Sequence, residues 1–398
     1  MATMTANRIA VTGNAAVGQA MKQIRPDVVA AYPITPQSDV VEEFSNFVAE
    51  GLVPTEFVTV ESEHSALSAC IGASAAGARV MTATSSQGLA LMWEMLYIAS
   101  GNRCPVVMIN VNRALSAPIN IHCDHSDSMG TLHSGWIQLY CKNAQEAYDS
   151  TLMAIRMAEH PDIQLPVMVC YDGFIVSHGI TSIELVDDEV ATKFVGERKA
   201  PFALLDPKAP ISMGNLAFTD YYLEVKRQQV EAMSFAPRVI AEVQAEFAKI
   251  SGRSYGMFET YHMDDADIVM VALNSTASTA EIVVDELRNS GVKAGILRPR
   301  VMRPFPWQNI AAQLAKRKAV IVMDRAQSPG GNGGPLAIEI RSAMYEQTSR
   351  PKMANCIYGL GGRDITLEEI RSIFNRAQQM AAGKGPEEFE YYLGVRGD

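Results

Sequence analysis

The recurrence of short apolar runs constrains this fold more than any other feature. Val28–Ala31, Glu56–Val60, Arg79–Ala83, Pro105–Val111 and Pro166–Tyr171 read as strands, with helix-forming stretches between most of them. Runs without polar alternation fit strands buried on both faces of a parallel sheet. Strands alternating with helices imply an open, doubly wound α/β sheet. The alternation lapses after about residue 180, where Pro201, Pro207, Pro210 and Gly214 interrupt it, and resumes at Asp267–Leu273. The 398 residues are therefore expected to divide into an α/β domain over 1–180, a connector over 181–262 and a second α/β domain over 263–398. A helix is expected at Asp220–Lys249 within the connector, and the tail from Gly383 reads as loosely held.

In open parallel sheets, ligands bind outside the carboxyl ends of the strands. The stretch Ala30-Ala-Tyr-Pro-Ile-Thr-Pro-Gln-Ser38 closes one strand and opens a helix expected from about Gln37 to Val48. Thr35 is its predicted N-cap, with Pro36 in the first turn. Glu63 follows the next strand and starts a helix rich in Ala and Ser, where the helix dipole favours a carboxylate. Its small apolar neighbours place it in a crevice, and a buried carboxylate needs a partner. A nitrogen heterocycle that shares a proton would serve. Arg113 follows Val106–Val111 and can hold a carboxylate through two parallel hydrogen bonds. Each residue has a plainer reading: a helix cap, a first-turn Glu, a surface Arg. Together they would stand on one edge of one sheet, which is harder to ascribe to accident.

Several function classes are disfavoured. A net charge of −10 argues against non-specific nucleic-acid binding. Cysteines 70, 104, 123, 141, 170 and 356 form no CxxC, so no zinc or iron–sulfur framework is expected within this chain. Scattered thiols on apolar segments suit a reducing compartment. No apolar run reaches the ~18 residues that span a membrane, and the N-terminus lacks a signal-peptide core; a cytoplasmic location is expected. The long segment Asn112–Gly135 holds His122, Asp124, His125, Asp127 and His133 without metal-ligand spacing, so it reads as a hydrogen-bonded loop rather than a metal site. The Gly-rich loop 329–334 lacks the Lys-Ser/Thr of a phosphate loop and reads as a tight turn leading into a helix.

Tyr32-Pro-Ile-Thr-Pro36, Glu61-Ser-Glu63, Gly72-Ala-Ser-Ala-Ala-Gly77, Thr84-Ser-Ser-Gln-Gly88, Asn112-Arg-Ala-Leu-Ser-Ala-Pro118 and Asp124-His125 resemble the α subunit of 2-oxoacid:ferredoxin oxidoreductases, in the pyruvate (pyruvate synthase) branch. Arg303-Pro-Phe-Pro306, Asp324-Arg325 and Tyr358-Gly-Leu-Gly361 extend the resemblance over nearly the whole chain. It implies a thiamine-diphosphate-enzyme fold: a pyrimidine-type domain followed by a transketolase C-terminal-like α/β domain. It also implies oxidative decarboxylation of a 2-oxoacid, with coenzyme A as acyl acceptor. By match to the motifs, Glu63 would hydrogen-bond N1′ of the cofactor and help generate its C2 carbanion. Pro33, Ile34 and Gln87 would line the cofactor, and Thr35 and Arg113 would bind the substrate carboxylate. The family's Gly-Asp-Gly motif for Mg2+ and diphosphate is absent. The resemblance therefore implies a β subunit that carries that motif and [4Fe-4S] clusters, together with γ and ferredoxin-like δ subunits and a ferredoxin acceptor. His122-Cys123 and Leu132-His133 depart from the pyruvate pattern. As substrate-pocket residues they would shape the space for the acid's side chain, and the apolar Leu132 would favour a bulkier acid, such as phenylglyoxylate or a branched-chain 2-oxoacid; a non-catalytic α/β scaffold subunit of a redox complex is the competing reading.

Overall fold

The computed structural model describes residues 7–385 and 388–397. In chain order the first half comprises β1 (Asn7–Val11), α1 (Gly13–Ile24), β2 (Val28–Ala31), α2 (Ser38–Ala49), β3 (Glu56–Thr59), α3 (Glu63–Ala75) and β4 (Val80–Thr84). Then come α4 (Ser86–Leu91), α5 (Trp93–Gly101), β5 (Val106–Asn112), α6 (Ser126–Gly130), β6 (Ile137–Cys141), α7 (Ala144–Ala158) and β7 (Val167–Asp172). The connecting region holds β8 (Thr181–Leu185), α8 (Asp188–Val195) and the long α9 (Tyr222–Ser251). The remainder is β9 (Phe258–Tyr261), β10 (Ile268–Val271), α10 (Asn274–Asn289), β11 (Ala294–Pro299), β12 (Val301–Arg303), α11 (Trp307–Leu314), β13 (Ala319–Asp324), α12 (Pro335–Met344), β14 (Lys352–Ile357), α13 (Leu367–Ala381) and β15 (Glu390–Tyr392).

The doubly wound sheet and the second α/β unit expected from the sequence are both present. The first sheet runs β12-β6-β7-β5-β4-β2-β3 and is parallel except for β12. Every residue of β4 and β5 is buried, as their unbroken apolar character required. Ala, Ser and Gly let α3 lie close on β2 and β4. The second sheet runs β15-β14-β13-β10-β11-β9, with β9 antiparallel at one edge. Among the described residues no helix is long and apolar enough to cross a membrane.

Four local expectations give way. The helix expected over 89–99 is two helices broken at Met92. Strand β6 lies just past the loop expected to be irregular, and its polar Gln138 masked the apolar pattern. Residues 258–261, expected in the connector, form the edge strand β9. In the tail expected to be loosely held, Glu390–Tyr392 pairs with β14.

Strand β12 belongs by sequence to the second unit but pairs with β6 of the first sheet. The chain crosses between the sheets at Arg298–Arg300, and both guanidiniums are buried. Glu146 on α7 accepts from Arg298 Nη2 at 2.9 Å and Arg300 Nε at 2.5 Å. Burial opposes the Glu146 charge, yet the two guanidiniums outweigh it and hold this carboxyl below its ordinary value. A depressed carboxyl stabilises the fold above its unfolded value, about 4.3, and loses that contribution as pH falls through the folded value. Glu146→Ala should therefore destabilise the chain at neutral pH by about 3–5 kcal/mol, because two buried cations lose their counter-charge. Urea unfolding at pH 7 and in mild acid checks this: the gap between wild type and variant should narrow below about pH 4.

Candidate active site

The carboxyl edge of the first sheet gathers the turns after β2, β3, β4, β5 and β7. Arg113 follows β5 and is 6% exposed. Its Nε donates to the Asn120 carbonyl at 2.9 Å and its Nη1 to the Thr35 carbonyl at 2.8 Å, while Nη2 bonds none of the described residues. Burial lowers the guanidinium's pKa and neighbouring Asp127 raises it; an arginine remains charged regardless.

Thr35 is not the N-cap that the sequence suggested. Helix α2 begins at Ser38 behind Gln37, which makes no capping bond. The physical reason is a turn before the helix: Gln37 N–H donates to the Ile34 carbonyl at 2.8 Å, and Ile34 N–H to Gln37 Oε1 at 3.3 Å. Buried Asn14 anchors the turn by donating to the Pro36 carbonyl at 2.8 Å. Pro33, Ile34 and Thr35 are thereby held at the edge, and Thr35 is left exposed.

Glu63 opens α3 behind Ser62, whose hydroxyl accepts from Ser65 N–H at 3.2 Å. The Glu63 side chain is 7% exposed and accepts no hydrogen bond from the described residues. It rests against Gly88: a Cβ there would stand 2.6 Å from Glu63 Oε1 and 2.5 Å from the Thr84 hydroxyl, which is itself buried without a partner. A glycine is therefore required at this contact. A buried carboxyl without a protein partner, beside an unpaired hydroxyl, fits a ligand whose ring nitrogen can share a proton with it, as N1′ of the aminopyrimidine of thiamine diphosphate can. Gln87 is half-buried beside them, with Oε1 accepting from the Ser86 hydroxyl at 2.6 Å.

The other expected pocket residues separate. His122 is exposed, its ring tilted at 37° to Phe174 with centroids 4.9 Å apart, and its carbonyl accepts from Ala114 N–H at 3.0 Å. Cys123 does not face a pocket. It is 1% exposed and packs where the two sheets meet, 3.5 Å from Asp172 Oδ1 and 3.8 Å from Arg325 Nη1. Leu132 and His133 line a different cavity, of about 660 Å³, formed with Tyr97, Trp136, Met233 and Trp307. Neither Arg113 nor Glu63 lines it. The reason is that α6 turns the chain away between Cys123 and Leu132.

Two further residues here had no site role in the sequence reading. Asp172 ends β7 and accepts from His125 Nε2 at 2.8 Å, Asn274 Nδ2 at 2.9 Å and Ser275 N–H at 3.2 Å, with Arg325 Nη1 at 3.4 Å. Burial opposes its charge, but His125 and Arg325 hold this carboxyl far below the carboxylate range. Cys123, His125 and Asp172 come within metal-chelating distance of one another, yet Arg325 already neutralises the carboxylate. The second is Asp127, which bonds the ends of β4 and β5. Its only sequence signal was an acidic residue inside an unusually long loop. The Gly-rich loop 329–334 leads into α12, whose first N–H groups are taken by Asp324 at 2.8 and 3.0 Å.

A family model described as pyruvate flavodoxin/ferredoxin oxidoreductase, thiamine diP-binding, matches residues 19–245, and the pyruvate:ferredoxin oxidoreductase core domain II model matches residues 266–370. Pyruvate synthase subunit PorA of Thermotoga maritima is 54% identical over 389 residues, 98% of each chain. Ketoisovalerate oxidoreductase subunit VorA of Pyrococcus horikoshii is 41% identical over 96% of this chain and 97% of that one. A solved 2-oxoglutarate:ferredoxin oxidoreductase from Magnetococcus marinus, with 2-oxoglutarate, coenzyme A and succinyl-CoA bound, shares the fold at a TM-score of 0.75 and 23% identity. That match covers 94% of this chain and 66% of the solved one. With a thiamine-diphosphate-binding model over more than half its length and a relative alike from end to end, the chain belongs to the pyruvate flavodoxin/ferredoxin oxidoreductase family.

Proposed function

We propose that this chain is the α subunit of a thiamine-diphosphate-dependent 2-oxoacid:ferredoxin oxidoreductase that decarboxylates pyruvate oxidatively to an acyl-CoA and CO2. The observation that carries the reading is the buried, partnerless Glu63 carboxylate over Gly88, on the same sheet edge as Arg113. Pyruvate is favoured as the acid because the 54% relative is named for it, against 41% for the relative named for ketoisovalerate. The latter sustains a branched-chain acid as the second reading.

The cofactor, when bound, supplies the electron sink for decarboxylation. The chain supplies positioning and charge. With the cofactor bound, Glu63 would share a proton with its ring nitrogen, the role that would favour ionisation at C2. Arg113 offers Nη2 to the substrate carboxylate, and Thr35, on the turn after β2, lies against the same guanidinium. Thr35's own carbonyl keeps the guanidinium in register. The sequence carries no Gly-Asp-Gly motif, and its six cysteines are scattered and buried. We therefore assign Mg2+, the diphosphate contacts and the [4Fe-4S] clusters to a β subunit and a ferredoxin-like δ subunit. A γ subunit, a ferredoxin acceptor and a cytoplasmic setting complete the proposal.

In the assembled complex, Glu63→Gln should cut turnover by roughly 10² or more. NMR of cofactor C2 proton exchange tests it directly; exchange at the wild-type rate would sink the role. Gly88→Ala should slow the same exchange, since the added methyl would stand 2.6 Å from Glu63 Oε1.

Substrate recognition is tested with a panel of pyruvate, 2-oxoglutarate, 2-oxoisovalerate and phenylglyoxylate. Arg113→Ala should weaken transition-state binding of all four together, by about 2–4 kcal/mol. Leu132→Arg, in the separate cavity, should leave their ranking in kcat/KM unchanged. A ranking that moved with Leu132 and not with Arg113 would reverse this division of the site.

A further inference from the structure

Asp127 lies in the first turn of α6 and is 3% exposed. Its Oδ2 accepts from Ser86 N–H at 3.0 Å, Arg113 N–H at 3.0 Å and Asn110 Nδ2 at 3.3 Å. Its Oδ1 accepts from Asn112 Nδ2 at 2.9 Å and Ser128 N–H at 2.7 Å. One oxygen atom thus ties the turn after β4 to the turn after β5.

Those turns carry different halves of the site. The turn after β4 presents Gln87 and Gly88, and Glu63 rests on Gly88. The turn after β5 presents Arg113, whose guanidinium holds Thr35. The ladder between the strands ends at Thr84 and Asn110, so sheet pairing no longer governs the spacing beyond that point. Ser86 has a φ of 49°, a left-handed conformation that costs a non-glycine residue energy. Its N–H meets Asp127 in that conformation. A carboxylate has two acceptor oxygens for these donors, whereas an amide has one.

We propose that Asp127 is a positioning residue that sets the separation between the Glu63–Gly88 half of the site and the Arg113–Thr35 half. It touches neither substrate nor cofactor. It controls how often the 2-oxoacid carbon is aligned with the cofactor carbon, while ionisation of the cofactor stays with Glu63. This inference rests on the function proposed above.

The test uses the complete complex. Asp127→Asn keeps the shape of the side chain but turns an NH2 group toward backbone donors. The expected result is a kcat lowered about 10²-fold, the loss that ~1 Å of misalignment produces. All 2-oxoacids in the panel should be affected alike, KM should move far less than kcat, and C2 proton exchange should stay near the wild-type rate. Asn112→Ala, which removes a donor to Asp127 Oδ1, should give the same pattern at about a tenth of the effect on kcat. It serves as the test if the first variant fails to assemble. Unchanged kcat, or C2 exchange that falls in step with kcat, would overturn the proposal. So would failure of both variants to assemble, because Asp127 would then act only in folding. A wild-type complex that oxidises no 2-oxoacid, or Glu63→Gln with normal exchange, would instead defeat the functional reading and leave the geometry of Asp127 as it stands.

Discussion

Burial of the central strands on both faces is the constraint from which the rest follows. Strand β5 is buried at every residue and β4 likewise, so neither can present a side chain to a ligand along most of its length. Recognition is displaced to where the strands end and the backbone turns. Thr35, Glu63, Gln87 and Arg113 all stand at such ends, on one edge, because parallel strands place all their carboxyl ends together. Adjacency there is inherited from strand order: β5, β4, β2 and β3 are consecutive neighbours in the sheet.

The interior treats its carboxylates in two ways. Glu146 faces Arg298 and Arg300, Asp172 faces His125 and Arg325, and Asp127 is met by backbone and amide donors. Each is compensated, as a buried charge must be. Glu63 is also largely buried, at 7% exposure, and has no partner among the described residues. That contrast within one molecule sets Glu63 apart from the carboxylates that hold the fold together.

The second α/β unit is more than an appendage. It lends β12 to the first sheet, and its Gly359–Gly362 turn presses on the loop that follows Arg113. Asn120 Nδ2 donates to the Gly361 carbonyl at 3.0 Å, and Gly361 N–H donates to Asp124 Oδ2 at 3.2 Å. A Cβ on Gly362 would stand 2.3 Å from the His122 Cβ, so that approach requires glycine. The loop that positions Arg113 is therefore shaped from both sides, by Asp127 beneath it and by the second unit against it.

Strand order aside, much of this was legible in the chain. Apolar runs and their spacing specified the doubly wound architecture, because burial on both faces leaves a periodicity that survives without any tertiary information. The edge residues Thr35, Glu63 and Arg113 were legible too, since they directly follow strands whose ends are marked by composition. What was not legible arises from contacts between distant segments. The start of α2 at Ser38 depends on Asn14 anchoring Pro36, 22 residues away. The burial of Cys123 depends on Asp172 and Arg325, and the diversion of Leu132 to another cavity depends on α6, α9 and Arg303. The sequence by itself determined which segments are buried and where chemistry can emerge, because hydrophobic patterning is a local property. Only the tertiary structure decided which emerging side chains meet, because hydrogen bonds between turns depend on how the strands are ordered and how the second unit packs against them.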